Sequence, residues 1–241
     1  MNLALDFGNS FTKLGIFERN NLIFFQSYKN LSVRNLHEVL KRFPIKTAII
    51  SSVVEDSAKI EKYLRRLYHV VEMKSDIPLP LENLYETPGT LGADRIAGIV
   101  GGYALFPKNN ILVINAGTCI TYDIAIANKG YLGGNITPGI DMQLKALHTF
   151  TQRLPLVKKQ FSEDLLGKST SSSILTGVMK GTVLEMEGFI KAYKKDYIAL
   201  KVLLSGGDAL MFETQLKTKI FAVPNLVLFG INKILTMNEP D

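Results

Sequence analysis

One arrangement occurs twice in this chain: an apolar strand that stops at a polar residue, a glycine turn, a second strand, then a third. The first copy runs from Leu3 to Asp6, turns at Gly8-Asn9-Ser10, returns over Thr12 to Phe17 and resumes at Leu22 to Phe25. The second runs from Ile111 to Asn115, turns at Gly117, and continues as Thr118 to Ala127 and Tyr131 to Ile136. Short apolar runs bounded by Gly and Asn read as strands, and such tight turns join antiparallel neighbours. Each copy is followed by helical and strand signals. Asn35 to Phe43 has apolar residues at helical spacing, Lys46 to Val53 reads as a buried strand, Ser57 to Leu67 as an amphipathic helix and His69 to Met73 as a strand. Gly92 to Leu105 is apolar and helix-compatible and ends at Pro107. Asp141 to Phe150, Ser172 to Tyr193 and Leu226 to Leu235 are further helices, and Val202 to Leu204 is a strand ending in Ser205-Gly206-Gly207-Asp208. There is no close sequence repeat, yet the order predicts two similar α/β halves, 1–107 and 108–241. A chain of 241 residues is long enough for two domains of modest size.

Composition narrows the function. With 46% hydrophobic and 21% charged residues, disorder is excluded. No stretch approaches the roughly 18 apolar residues of a membrane helix. The N-terminus meets Asp6 too early for a signal peptide, so a cytoplasmic location is expected. The single cysteine, Cys119, allows no internal disulfide, suits a reducing compartment, and reads as a small buried hydrophobe. His37, His69 and His148 lack metal-ligand spacing. A net charge of +6 suits an anionic ligand. The basic pairs Arg65-Arg66, Lys158-Lys159 and Lys194-Lys195 have no aromatic interleaving, so no nucleic-acid surface is expected.

Four segments can carry chemistry. In Asp6-Phe7-Gly8-Asn9-Ser10-Phe11-Thr12-Lys13, an acid at a strand end is followed by glycine and small polar residues, a hairpin whose N–H groups can approach phosphate while Lys13 supplies a point charge. Its D-F-G letters are not the protein-kinase motif, which needs a Gly-rich loop and an H-R-D loop upstream. Asn115-Ala116-Gly117-Thr118-Cys119-Ile120-Thr121-Tyr122-Asp123 repeats the design. Two phosphate-type hairpins at equivalent places in two halves suggest a nucleotide held in a cleft between domains. Gly92-Ala93-Asp94-Arg95 places an acid beside an arginine at the start of an apolar helix. Gly133-Gly134-Asn135-Ile136-Thr137-Pro138-Gly139 is a glycine-dense turn, suggesting close backbone approach to a ligand or a second subunit. Gly167-Lys168-Ser169 is not a P-loop tail, because Ser162 stands where the first glycine belongs and no apolar strand precedes it.

Together these residues resemble the type III pantothenate kinase family over almost the whole chain. The match comprises D-F-G-N-S-x-x-K from Asp6, Y-x-x-P from Tyr85 ahead of G-A-D-R, G-T-x-x-T-x-D from Gly117, G-G-x-I-x-P-G from Gly133, Leu154-Pro155 and S-G-G-D-A from Ser205. G-A-D-R is specific to this family; the hairpins alone indicate only the wider actin-like ATPase superfamily. The resemblance implies two RNase H-like α/β domains with ATP in the cleft between them, and a homodimer with pantothenate bound near the subunit interface. It implies that Asp6 to Lys13 (Asp6, Phe7, Gly8, Asn9, Ser10, Phe11, Thr12, Lys13) forms the first phosphate loop. Asp6 would hold Mg²⁺ directly or through water, and Gly117 and Thr118 belong to the second loop. Gly92, Ala93, Asp94 and Arg95 would contact pantothenate, with Asp94 as catalytic base and Tyr85 and Thr170 as further contacts. Arg95 would either pair with the substrate carboxylate or position Asp94, and Gly206-Gly207 would lie near the adenosine. One position departs from the family: an Asp that implies a potassium or ammonium ligand is Asn115 here, which puts that cation in question. A sugar kinase or polyphosphatase of the superfamily would not be expected to carry G-A-D-R. A non-catalytic ATP-binding regulator would be expected to lack Asp94 or Lys13.

Overall fold

Strand β1 (Asn2–Phe7) is almost wholly buried, and its alternate residues face two different layers. It lies at the centre of a five-stranded sheet ordered β3-β2-β1-β4-β5, with β2 (Thr12–Glu18), β3 (Asn21–Tyr28), β4 (Thr47–Ser52) and β5 (His69–Glu72). β1, β2 and β3 are antiparallel, whereas β4 and β5 continue in parallel. The computed structural model describes residues 1–52, 57–161 and 164–239; Val53, expected as a strand end, lies outside the described residues.

One face of this sheet sends Leu3, Leu5, Phe7, Leu14, Ile16, Ala48 and Ile50 into a core shared with α1 (Val33–Leu40) and α2 (Ala58–Leu64). Helix α1 starts two residues before the expected Asn35. Ser32 caps it, its hydroxyl accepting from the Asn35 N–H at 3.1 Å. The opposite face meets α3 (Ala93–Leu105) and the C-terminal helix α7 (Leu226–Asn238). There Phe17 sets its ring edge-on to Phe229, with centroids 5.5 Å apart. The helices α3 and α7 cross at glycines. A side chain on Gly230 would overlap the Ala97 carbonyl oxygen, and a Cβ on Gly101 would stand 2.5 Å from the Leu226 carbonyl oxygen. The apolar run after Asp94 therefore fills an interior helix, in which residues 95–102 are all buried.

The second sheet is ordered β10-β9-β6-β7-β8, from β6 (Ile111–Ala116), β7 (Cys119–Ile126), β8 (Gly130–Pro138), β9 (Lys201–Ser205) and β10 (Phe221–Ala222). Read from its first strand, it repeats the first sheet: third, second, first, fourth, fifth. Helices α4 (Ile140–Thr149), α5 (Thr170–Asp196) and the short α6 (Ala209–Glu213) accompany it. Helix α5 begins two residues before the expected Ser172, because Ser169 and Ser172 bond each other's backbone N–H in a capping box. Glu185 of α5 accepts from Tyr122 Oη at 2.7 Å and Thr137 Oγ1 at 2.8 Å, tying β7 and β8 to the helix.

The chain clusters into two units: Met1–Lys108 with Ala125–Gly133 and Asn225–Asp241, and Asn109–Ile124 with Gly134–Pro224. Among the described residues no helix is long and apolar enough to cross a membrane.

Candidate active site

In the first unit, Asp6 ends the run of β1 that shares a face with Asn2 and Ala4. Register sets Lys13 of β2 on one side of it and Ser51 of β4 on the other. Period-two alternation puts all three side chains on the same face of the sheet. Ser51 Oγ donates to Asp6 Oδ1 at 3.5 Å. Burial pushes the Asp6 carboxyl up to about 6; Lys13 opposes this, the negative charge of Asp94 adds to it, and Ser51 opposes it. Asp6, Lys13, Ser51 and Asp94 are therefore one electrostatic cluster. The turn between the strands is closed by the Gly8 N–H donating to the Phe11 carbonyl at 3.2 Å. Asn9, Ser10 and Phe11 are exposed at its tip, while Phe7 and Thr12 are buried at its base.

Asp94 lies in the first turn of α3, and its Oδ1 accepts from the Arg95 N–H at 2.9 Å. A carboxylate there is favoured by the helix dipole. Gly92 leaves room for the Asp94 carboxylate in this position: a Cβ would stand 2.6 Å from Asp94 Oδ1 and make that side chain shift. Arg95 is buried, with its guanidinium carbon 5.4 Å from the centre of the Tyr85 ring. Tyr85 is fixed from its other neighbours. Its N–H donates to Asn83 Oδ1 at 3.1 Å and its ring stacks on Tyr131 at 6.1 Å. Gly133, at φ +122°, leaves space for that ring; a Cβ would approach Tyr85 Cδ2 to 3.2 Å. Tyr85, Gly92, Ala93, Asp94 and Arg95 thus form one cluster in the unit that holds Asp6 and Lys13.

In the second unit the turn at Gly117-Thr118 is held by main-chain bonds on both sides. The Gly117 N–H donates to Cys119 O at 3.0 Å, the Gly139 N–H to Thr118 O at 3.1 Å and the Asp208 N–H to Ala116 O at 3.0 Å. Side chains on Gly139 or Gly206 would overlap the loop backbone at Gly117 O and Ala116 O. Asn115, the last residue but one of β6, pairs with Ser205 and is half-buried. Lys159 reaches both flanks of the loop, donating to Asp208 Oδ1 at 2.7 Å and Asp141 Oδ2 at 2.9 Å. Burial alone would lower its pKa, but the two hydrogen bonds and both charges outweigh that and raise it. Thr170, exposed at the start of α5, lines a groove of about 760 Å³ with Leu147, Leu154, Lys168 and Val178.

Three expectations are corrected. The segment from Gly133, read both as the end of a strand Tyr131 to Ile136 and as a glycine-dense turn, is strand as far as Pro138, so the strand reading holds and the turn reading does not. Its Gly134 makes room for the Tyr122 carbonyl of the neighbouring strand, so that glycine serves sheet packing. Cys119 is half-buried, because it begins β7 at the exposed turn. Helix α7, read with the second half, clusters with the first unit.

The model of the type III pantothenate kinase family matches residues 2–192. The chain belongs to the type III pantothenate kinase family. A type III pantothenate kinase of Phocaeicola vulgatus is 44% identical over 240 residues, covering 99% of each chain. One from Christiangramia forsetii is 41% identical over 241 residues, again covering 99% of each. Among solved structures, a Campylobacter jejuni protein described as a conserved Baf family transcriptional activator is 25% identical, with TM-score 0.63 and 98% of each chain covered. A 2-dehydro-3-deoxygalactonokinase protein from Sinorhizobium meliloti shares the fold alone, at 12% identity, TM-score 0.59 and full coverage of both chains. The chain therefore shares the fold of these two structures.

Three groupings near the type III pantothenate kinase motifs were not legible in the sequence. Ser51 stands in an unremarkable buried strand, and only sheet register brings it to Asp6. Tyr131 and Gly133 come beside Tyr85 because the segment at 82–85 pairs along β8, with a bridge from Asn83 to Tyr131. The Asp141–Lys159–Asp208 group draws on three separate segments. The Lys158-Lys159 doublet and Asp208, within S-G-G-D-A, were visible in the sequence, but nothing joined them to each other or to Asp141. Among the described residues no group of three or more His, Cys, Asp or Glu could hold a metal ion.

Proposed function

We propose that this chain transfers the γ-phosphoryl group of ATP to the terminal hydroxyl of pantothenate, giving 4′-phosphopantothenate at the first step of coenzyme A synthesis. The observation that supports this reading is that the charge of Asp94 reaches Asp6, which pairs in register with Lys13. The acid of the family-specific motif thus stands beside the phosphate hairpin. In this reading the hairpin from Asp6 to Lys13 and the turn at Gly117-Thr118 bind the phosphates through backbone N–H groups. Lys13 supplies charge.

Asp94 orients the substrate hydroxyl in line with the γ-phosphorus and takes its proton late. A carboxylate is a poor base toward an alcohol. Phosphoryl transfer has a loose transition state, so orientation matters more than early proton removal. Arg95, buried against Tyr85, presents a planar fork suited to the pantothenate carboxylate. Thr170 and Tyr85 contribute further contacts. Asp6 is a hard oxygen donor, and a buried carboxylate that is costly to ionise gains from a cation beside it, so it fits Mg²⁺. Mg²⁺ held at Asp6 would neutralise charge on the phosphates.

We also propose a homodimer. Leu165, Leu166 and Leu184 are large, apolar and exposed in the unit that carries Thr170. Light scattering at twice the chain mass is expected, and fully active protein at the monomer mass refutes it. Consumption of ATP for coenzyme A synthesis fits a cytoplasmic enzyme. The activity itself is tested by coupled ADP release with Mg²⁺. Release is expected with pantothenate and not with glucose or glycerol; equal release with sugars, or none with pantothenate, overturns the assignment.

A further inference from the structure

We infer that Lys159 is a positioning residue of the second phosphate loop, halving the negative charge of two carboxylates that would otherwise repel the nucleotide more strongly. The inference rests on the reading that Gly117-Thr118 faces phosphate. Asp208 is joined to that loop through its own N–H, bonded to Ala116 O, and Asp141 stands two residues after Gly139, whose N–H bonds Thr118 O. Two acids therefore flank a turn built for an anion. Asp208 is the more sheltered, its side chain 13% exposed, so water screens it least. Lys159 comes from the segment between α4 and α5 and bonds both acids, at 2.7 and 2.9 Å. Its segment is seated by Phe161, set edge-on to the buried Phe212 of α6 with centroids 5.8 Å apart. The arrangement leaves this corner one net negative charge instead of two, and ties the loops on either side of the turn to one cation.

Lys159 bonds Asp141 and Asp208, and its influence on ATP passes through these two carboxylates. Removing it exposes both carboxylates to the phosphates and unties the flanks. One uncompensated charge beside a polyanion changes affinity by roughly five- to tenfold. Removing the carboxylates as well cancels the repulsion, because the bond that anchors Asp208 to the loop is main-chain and survives Asp208→Asn.

The test is calorimetric titration with ATP, together with KM for ATP and for pantothenate. Lys159→Met is expected to weaken ATP binding about fivefold or more and to leave KM for pantothenate within twofold. Lys159→Arg is expected to bind ATP close to wild type. Lys159→Met combined with Asp141→Asn and Asp208→Asn is expected to bind ATP at least as tightly as wild type, which loss of a purely structural lysine would not allow. Asp141→Asn alone changes a carboxylate that is 73% exposed, and is expected to bind ATP somewhat more tightly. Unchanged ATP binding in Lys159→Met, or a triple variant as weak as Lys159→Met, overturns the inference. Should Lys159→Met not fold, ATP binding by Asp141→Asn equal to or weaker than wild type overturns it. Failure of the wild-type protein to bind ATP overturns the kinase reading beneath it.

Discussion

Replacing Asp6 by Asn should stabilise the protein while destroying its function, and the effect should depend on pH in one direction. The side chain is 7% exposed, and its carboxyl is raised from 3.8 to about 6. Between those values the folded state binds more protons than the unfolded chain, so stability falls as pH rises through the window. Multiplying that difference by 1.36 kcal/mol per pH unit gives a cost of about 3 kcal/mol, fully present above about pH 7 and absent below about pH 4. Asn keeps the shape and cannot ionise. Lys13 loses its partner, but it is only half-buried and water takes up much of that charge. For a chain of this size, about 3 kcal/mol corresponds to roughly 6–12 °C in Tm. The assay is thermal melting of both proteins from pH 4 to pH 8, in chelator and without nucleotide. The Asn variant should melt near wild type at pH 4 and progressively higher as pH rises, while losing Mg²⁺-dependent turnover. A gap that does not change with pH, or a variant less stable than wild type at pH 8, refutes the claim that burial dominates at Asp6.

Three further predictions follow from the geometry. Asp94→Asn should bind ATP nearly as wild type yet turn over about 10²-fold more slowly or worse; a variant keeping most of its turnover makes Asp94 a structural residue only. Gly230→Ala should lower stability by about 1–3 kcal/mol, because the overlap with Ala97 O outweighs a helix-propensity gain of about 1 kcal/mol. Gly188→Ala, on α5 where a Cβ meets nothing within 4 Å, should raise stability by up to about 1 kcal/mol; equal melting of the two variants refutes the contrast. If Asn115 stands where the family resemblance implies an Asp, activity in sodium-only buffer should stay close to that with potassium or ammonium. One carboxylate at ~3 Å and an effective dielectric of ~20 attracts a cation by roughly 5 kcal/mol gross, and losing a fifth of that weakens binding about fivefold. Near-total dependence on low millimolar potassium would sink this prediction.

The sequence by itself determined the local elements, because each is written in a short window. Alternating apolar residues and a glycine turn make the hairpin at Asp6 to Lys13, and an apolar run behind Gly92 makes an interior helix. The duplicated strand order gives two sheets of the same topology, and the motif residues point to phosphate, to pantothenate and to one family. Element starts were less legible where a serine cap extended a helix beyond its apolar pattern, as at Ser32 and Ser169. The two-residue strand β10 and the short α6 are too brief to show a period. Only the tertiary structure decided which distant residues meet. Ser51 comes to Asp6 through parallel register, Tyr131 and Gly133 to Tyr85 through an edge pairing, and Lys159 to Asp141 and Asp208 through a segment seated on α6. It also returned α7 to the first unit, where Gly230 and Gly101 let two helix backbones touch. The physical reason is common to all of these. Helix and strand patterns depend on neighbours a few residues apart, whereas register, charge compensation and backbone contact depend on surfaces that exist only after the elements have packed.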